Sequence, residues 1–152
     1  MIRVTCKKRK TDREKDTVTI SRGERTWVFQ TWNQRVLPHE LVHYAVEHVF
    51  GYRGFVRLIA DGATSEQILA LEDSEVRTAE NVTNAYQYEL WGLVEPDNDQ
   101  FLSSLRANGD ATAPEPARIE EGRALLRTLS ERWSALPHGE HLELELADGG
   151  AG

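Results

Sequence analysis

Hydrophobic and polar residues alternate along two short stretches near the N-terminus and one at the C-terminus. In IRVTC (2–6), TVTI (17–20) and HLELEL (141–146), every second residue is apolar, which is typical of strands with one buried face. A glycine-centred turn in SRGER precedes TWVFQTW (26–32), which is rich in aromatic and β-branched residues. We predict a three-stranded antiparallel meander over residues 1–32 and a C-terminal strand that joins it.

Three longer stretches have helical periodicity instead. HELVHYAVEHVF (39–50) is apolar around most of its circumference and predicts a helix buried on nearly all sides. Pro38 stands where the first turn of a helix tolerates proline, and Gly51 stands where helices commonly end. The pattern predicts a second continuous helix from Thr64 to about Leu93. It predicts a third helix after the loop composition of residues 108–117.

These elements predict an α+β fold, in which a small antiparallel sheet packs on about three helices. The chain has 152 residues and a mass of 17.2 kDa, which suits one domain with its own core. We expect a single domain over residues 1–147 and a flexible tail over residues 148–152.

The net charge and the cysteine content exclude some classes of binding partner and some kinds of metal site. The net charge of −7 and the pI near 5.3 argue against nucleic acid or an anionic membrane as the main partner. Cys6 is the only cysteine, so the chain holds neither a disulfide framework nor a cysteine-based zinc site. Neither a signal peptide nor an 18-residue apolar run is evident, and we expect a cytoplasmic protein.

The helix at 39–50 contains the pattern His39-Glu40-x-x-His43. Residues four apart lie on one helix face, so two imidazoles so placed can bind one metal ion. We predict His39 and His43 as ligands of zinc, or of another divalent transition metal. Glu40 is the predicted general base, which takes a proton from water at the metal. The alternative is that both histidines bond carboxylates of a neighbouring helix in a metal-free core.

A catalytic zinc site normally has three protein ligands and a water molecule. Glu75 and then Glu72 are the first choices for the third ligand, because both fall within the apolar stripe of the second helix. An unpaired carboxylate on a core-facing stripe is costly. Glu80 lies off that stripe and is a weaker candidate. For each carboxylate the alternative is a solvated edge or a salt bridge to an arginine.

Glu47 lies one turn beyond His43, too far along the helix to share a metal with His39. We predict that it instead accepts a hydrogen bond from the other ring nitrogen of His43 and so orients the ligand.

The His39-Glu40-x-x-His43 pattern resembles the active-site helix of the zincin metallopeptidases, and a downstream helical glutamate is similar to the gluzincin arrangement. This likeness covers about five residues. The metzincin extension is absent, since Val46 and Val49 stand where it has glycine and histidine.

A broader likeness covers about a third of the chain. LPHELVHYAVE (37–47) followed by GYRGF (51–55) resembles small bacterial proteins of unassigned function that carry a PLHDLTHYAVE-like helix and a GL-RGF segment. That resemblance places aspartate where Glu40 stands here. It also implies that Tyr44 and Glu47 belong to the signature and support the metal ligands.

Two functional hypotheses follow. The first is a zincin-like metal-dependent hydrolase acting on a peptide, whose extended chain adds as a strand to the edge of the meander. The second is a non-catalytic domain that binds another protein and whose histidine helix is structural, with or without metal.

Overall fold

The computed structural model describes residues 1–32 and 36–148. Within these ranges the fold is α+β, as predicted, with one four-stranded antiparallel sheet and six helices. None of the described helices is long and apolar enough to cross a membrane. Of the predicted flexible tail, residues 149–152 lie outside the described residues. Asp148 forms salt bridges with the N-terminal amine of Met1 and with Arg22.

The sheet has four strands, β1 (Ile2–Lys7), β2 (Asp16–Arg22), β3 (Arg25–Thr31) and β4 (His141–Leu146). Their order is β3-β2-β1-β4, which confirms the predicted meander with its added C-terminal strand. The central strand β1 pairs Val4 with Ile20 of β2 on one side and with Leu144 of β4 on the other. The alternating apolar residues of these three strands are buried on one face. That face covers the helical layer, and β3 and β4 form the two edges of the sheet.

The described helices are α1 (His39–Phe50), α2 (Phe55–Ala60), α3 (Ser65–Leu69), α4 (Ser74–Leu90), α5 (Asn98–Ala107) and α6 (Pro116–Ala135). Helices α1 and α6 correspond to the first and third helices that the sequence predicts, and α4 covers only the C-terminal part of the second. Helix α1 packs against both α4 and α6, and most of its residues are buried, as its apolar circumference predicted. It ends where Gly51 adopts a left-handed conformation with φ of 73°.

The predicted continuous helix from Thr64 to Leu93 is wrong. The chain leaves the helix after Leu69 and starts a new one at Ser74, because the Asp73 side chain accepts the N–H of Val76 at 3.1 Å. Leu69, the last residue of α3, is 86% exposed, so its side chain does not help to hold α3 in line with α4. Helical periodicity alone does not reveal such a side-chain cap.

A close approach of α4 and α6 gives the first testable prediction. Tyr86 of α4 is buried and its hydroxyl donates to the Ile119 carbonyl at 2.8 Å. A Cβ at Gly122 would clash with that hydroxyl and lie 2.6 Å from the ring Cζ. We expect Gly122→Ala to destabilise the protein by about 2 kcal/mol through overpacking, although alanine favours a helix. Urea denaturation measures this change.

The partner variant is Tyr86→Phe, which removes the clashing oxygen. If the clash is the cause, Gly122→Ala costs less in the Tyr86→Phe background than in the wild type. A stabilising Gly122→Ala, as helix propensity alone would give, contradicts the prediction.

Candidate metal centre

The facing surfaces of α1 and α4 bring two histidines and a glutamate together. Each of His39, His43 and Glu80 offers one ligand atom, and these three atoms lie within 4.8 Å of one another. His43 Nε2 and Glu80 Oε2 are 3.7 Å apart. Atoms bound to one zinc ion at about 2.0–2.2 Å lie up to about 4 Å apart, so this pair is already within range. The two histidines predicted from the sequence therefore do converge with a carboxylate from another helix.

Burial differs sharply across this group. His43 is buried, and burial together with the neighbouring His39 lowers the pKa of its imidazole to about 3. It therefore stays neutral, which is the form that binds metal. The Glu80 side chain is 51% exposed, and partial burial raises the pKa of its carboxyl against the attraction of His39. The group is therefore buried at His43 and exposed to solvent at Glu80.

The Nδ1 atom of each histidine faces a polar side chain of α4. His39 Nδ1 lies 2.9 Å from Gln87 Oε1, and His43 Nδ1 lies 3.5 Å from Thr83 Oγ1. Both α4 residues are buried. The two imidazole rings meet edge to face with centroids 4.7 Å apart. Together these contacts leave the Nε2 atoms as the ring nitrogens available to a metal.

The structure places Glu80, rather than Glu75 or Glu72, with the histidines. Glu75 is exposed and accepts the Arg53 N–H at 2.6 Å. Glu72 is exposed in the segment between α3 and α4. The ranking of Glu75 and Glu72 rested on a single stripe through one continuous helix, whereas the helix is interrupted between Leu69 and Ser74. The useful signal was the polar series Glu80, Thr83 and Gln87, whose spacing of three and four residues places all three on one face of α4.

Glu40, the predicted general base, is half-buried and does not belong to the group formed by the two histidines and Glu80. Its charge raises the pKa of the Cys6 thiol on β1, although burial is the larger cause of that shift. Its Oε2 atom is buried without a hydrogen-bond partner among the described residues. The carboxylate thus lies close to the sheet, and its catalytic role stays a prediction.

The predicted hydrogen bond from His43 to Glu47 is replaced by a different one. Glu47 is 1% exposed, and its two carboxylate oxygens accept the N–H groups of Val56 at 2.8 Å and of Arg57 at 2.9 Å. These are the second and third residues of α2, the donors that a capping side chain normally satisfies. The residue at the cap position is Gly54, which has no side chain, so Glu47 caps α2 from α1.

This contact brings Glu47 directly against Gly54 of the GYRGF segment. Gly54 lies so close to Glu47 that a Cβ there would be 3.0 Å from the Glu47 carboxyl carbon. Arg57 also donates to the carbonyls of Glu47 at 3.0 Å and of Tyr52 at 2.6 Å. Tyr44, the other residue predicted to support the ligands, donates its hydroxyl to the carbonyl of Glu145 on β4 at 2.9 Å. Tyr44 and Glu47 hold α1 against its neighbours and do not contact the Nδ1 atoms of the histidines.

Comparisons of the chain with protein-family models, with curated proteins and with solved structures found no match. The zincin resemblance and the broader likeness therefore remain expectations from the sequence.

Proposed function

We propose that this protein binds a divalent transition metal, with zinc as the first choice, through His39, His43 and Glu80, and uses it to hydrolyse peptides. The observation that carries the proposal is the convergence of these three side chains from two helices within 4.8 Å. Two imidazoles and one carboxylate form a donor set that leaves a position open on a tetrahedral ion.

The surroundings suit that donor set. His43 is neutral and held in a buried position, while Glu80 opens to solvent and gives the ion a route of entry. Nitrogen and carboxylate donors without thiolates favour zinc and neighbouring transition metals over magnesium or calcium. A bound ion would act as a Lewis acid and would lower the pKa of a coordinated water molecule.

The position of β3 supports an extended peptide as the substrate. Phe55 links the metal group to this edge strand, since its ring lies 5.1 Å from His43 and 5.7 Å from Phe29 of β3. Edge strands present unpaired backbone groups, with which an extended peptide can pair. A peptide added along β3 would therefore run beside the metal group.

A non-catalytic metal domain is the second candidate, and the position of Glu40 favours it. A general base must reach the proton that it takes. Glu40 lies near Cys6 and outside the group of ligand atoms, and His43 is buried. In this function the ion would join α1 to α4 and stabilise the fold.

Elemental analysis of the purified protein tests metal binding. We expect about one equivalent of zinc, or of another divalent transition metal, per chain, and its loss in His39→Ala. Less than about a tenth of an equivalent in the native protein, after incubation with zinc and gel filtration, would refute the site.

Cleavage of an unfolded protein substrate then separates the two functions. For a hydrolase we expect cleavage by the metal-loaded protein, its loss on chelation, and a fall of about 100-fold or more in Glu40→Gln with the metal retained. Bound metal with no cleavage, unchanged in Glu40→Gln, would instead establish the non-catalytic domain.

A further inference from the structure

We propose that Gln87 and Thr83 are positioning residues, which hold both histidines in the tautomer with the proton on Nδ1 and the lone pair on Nε2. This inference rests on the proposed metal site. It assigns a role to two α4 residues that the sequence pattern did not single out.

The Gln87 contact fixes the tautomer of His39. The atom that faces His39 Nδ1 at 2.9 Å is the amide oxygen, which accepts hydrogen bonds and does not donate them. With the Gln87 amide in this orientation, Nδ1 carries the proton and the lone pair of the neutral ring lies on Nε2. Gln87 is 2% exposed, so water does not compete freely for this bond.

The Thr83 contact assigns the same tautomer, with the proton on Nδ1, to His43. The Thr83 hydroxyl donates its only proton to the Ala79 carbonyl at 2.8 Å, so it has no proton left to donate to His43. Towards His43 Nδ1, 3.5 Å away, the oxygen is left as an acceptor. Thr83 is fully buried, so with its hydroxyl proton on the Ala79 carbonyl its oxygen faces a proton on His43 Nδ1, and Nε2 is left with the lone pair.

The two contacts act together because of their spacing. His39 and His43 are four residues apart on α1, and Gln87 and Thr83 are four residues apart on α4, in the opposite order. Each ring thus meets its own acceptor, and both Nε2 atoms are free for an ion that also contacts Glu80. Orienting partners of this kind commonly change metal affinity by about 10- to 100-fold when removed.

The first test needs no metal. Nitrogen-15 NMR of histidine-labelled, metal-free protein, at a pH where the imidazoles are neutral, reports which ring nitrogen carries the proton. We expect the Nδ1–H tautomer for both His39 and His43, whereas a free neutral imidazole of histidine prefers the Nε2–H tautomer. An Nε2–H tautomer at either residue in the native protein overturns the assignment for that residue.

The second test uses variants and the zinc dissociation constant from competition with a chromophoric chelator. Gln87→Leu and Thr83→Val keep the size of each side chain and remove the acceptor. We expect each to weaken zinc binding about 10- to 100-fold, and to move the tautomer of its own histidine only. Gln87→Glu keeps an acceptor and is expected to retain zinc affinity.

Thr78→Val is the matched control on the same helix. It removes a hydroxyl that donates to Asp110 at 2.8 Å, so it tests the loss of a threonine bond away from the histidines. Its zinc affinity should equal that of the wild type. Equal weakening by Gln87→Leu and Gln87→Glu, or by Thr83→Val and Thr78→Val, would show a merely structural role and overturn the proposal. If the native protein binds no metal but shows the expected tautomers, the proposed metal site is refuted, whereas the roles of Gln87 and Thr83 in setting the tautomers are supported.

Discussion

Glu80→Gln is expected to weaken zinc binding by more than 100-fold, a greater effect than the loss of a hydrogen-bond partner of a ligand. The reason is that a neutral amide is a poor replacement for the only carboxylate among the three converging side chains. A hundredfold change corresponds to about 2.7 kcal/mol. Competition with a chelator measures it directly. The Glu80 side chain is half exposed, so the substitution should leave the fold intact.

Glu75→Gln is the matched control, because it makes the same change five residues earlier on the same helix. Glu75 accepts the Arg53 N–H and lies outside the metal group, so its variant should bind zinc as the wild type does. The same contrast should appear in thermal unfolding. Zinc at 100 times its wild-type dissociation constant stabilises the protein by about 2.7 kcal/mol. This gain is expected in Glu75→Gln and should fall below about 0.4 kcal/mol in Glu80→Gln. The reverse pattern would make Glu75 the third ligand after all.

Glu47→Ala is expected to destabilise the protein by about 3 kcal/mol. It leaves two backbone N–H groups at the start of α2 without an acceptor, and each unsatisfied buried donor costs about 1–3 kcal/mol. Chemical denaturation measures the loss. Glu131→Ala, at an exposed position of α6, is the control and should change stability by less than about 0.5 kcal/mol. Similar stabilities for the two variants would contradict the capping role.

The Glu47 carboxyl group also makes the stability of the protein depend on pH, and the sign of this dependence follows from the direction of its pKa shift. Burial raises the pKa of Glu47 to about 7 from 4.5, against the effect of its N–H donors and of Arg57. The folded protein then binds more protons than the unfolded chain between these values, so this group makes stability fall as the pH rises from 4.5 to 7. The full effect is about 3 kcal/mol.

His43 acts in the opposite direction in metal-free protein. Its pKa is lowered to about 3 from 6.5, so the unfolded chain binds more protons and stability rises with pH across that interval. The two slopes oppose each other between pH 4.5 and 6.5. We expect Glu47→Gln, which cannot titrate, to show a steeper rise in stability over that interval than the wild type. Parallel curves for the two proteins would show that Glu47 has an ordinary pKa in the fold.

Much of the fold follows from local pattern. The strict alternation in IRVTC and HLELEL was enough to predict β1 and β4, because a strand with one buried face needs apolar side chains at every second residue. The bounds of α1 were predicted from Pro38 and Gly51 for a similar reason, since proline and glycine act on the backbone where they stand. Short elements were predicted less well. Helix α3 begins with the Thr64–Gln67 capping box and α5 with the Asp97 cap, and both have few or no buried residues, so their apolar pattern is weak.

The sequence by itself determined the α+β fold class, the buried histidine helix and the pair of imidazoles one turn apart. Each of these depends on residues close together in the chain. Only the tertiary structure decided that Glu80 joins the histidines, that Gln87 and Thr83 face them, and that Glu47 caps α2. These contacts depend on the orientation and the offset at which α1 packs against its neighbouring helices, and on the residue at which α4 begins. Residues distant in the chain fix that geometry together, so no local pattern contains it.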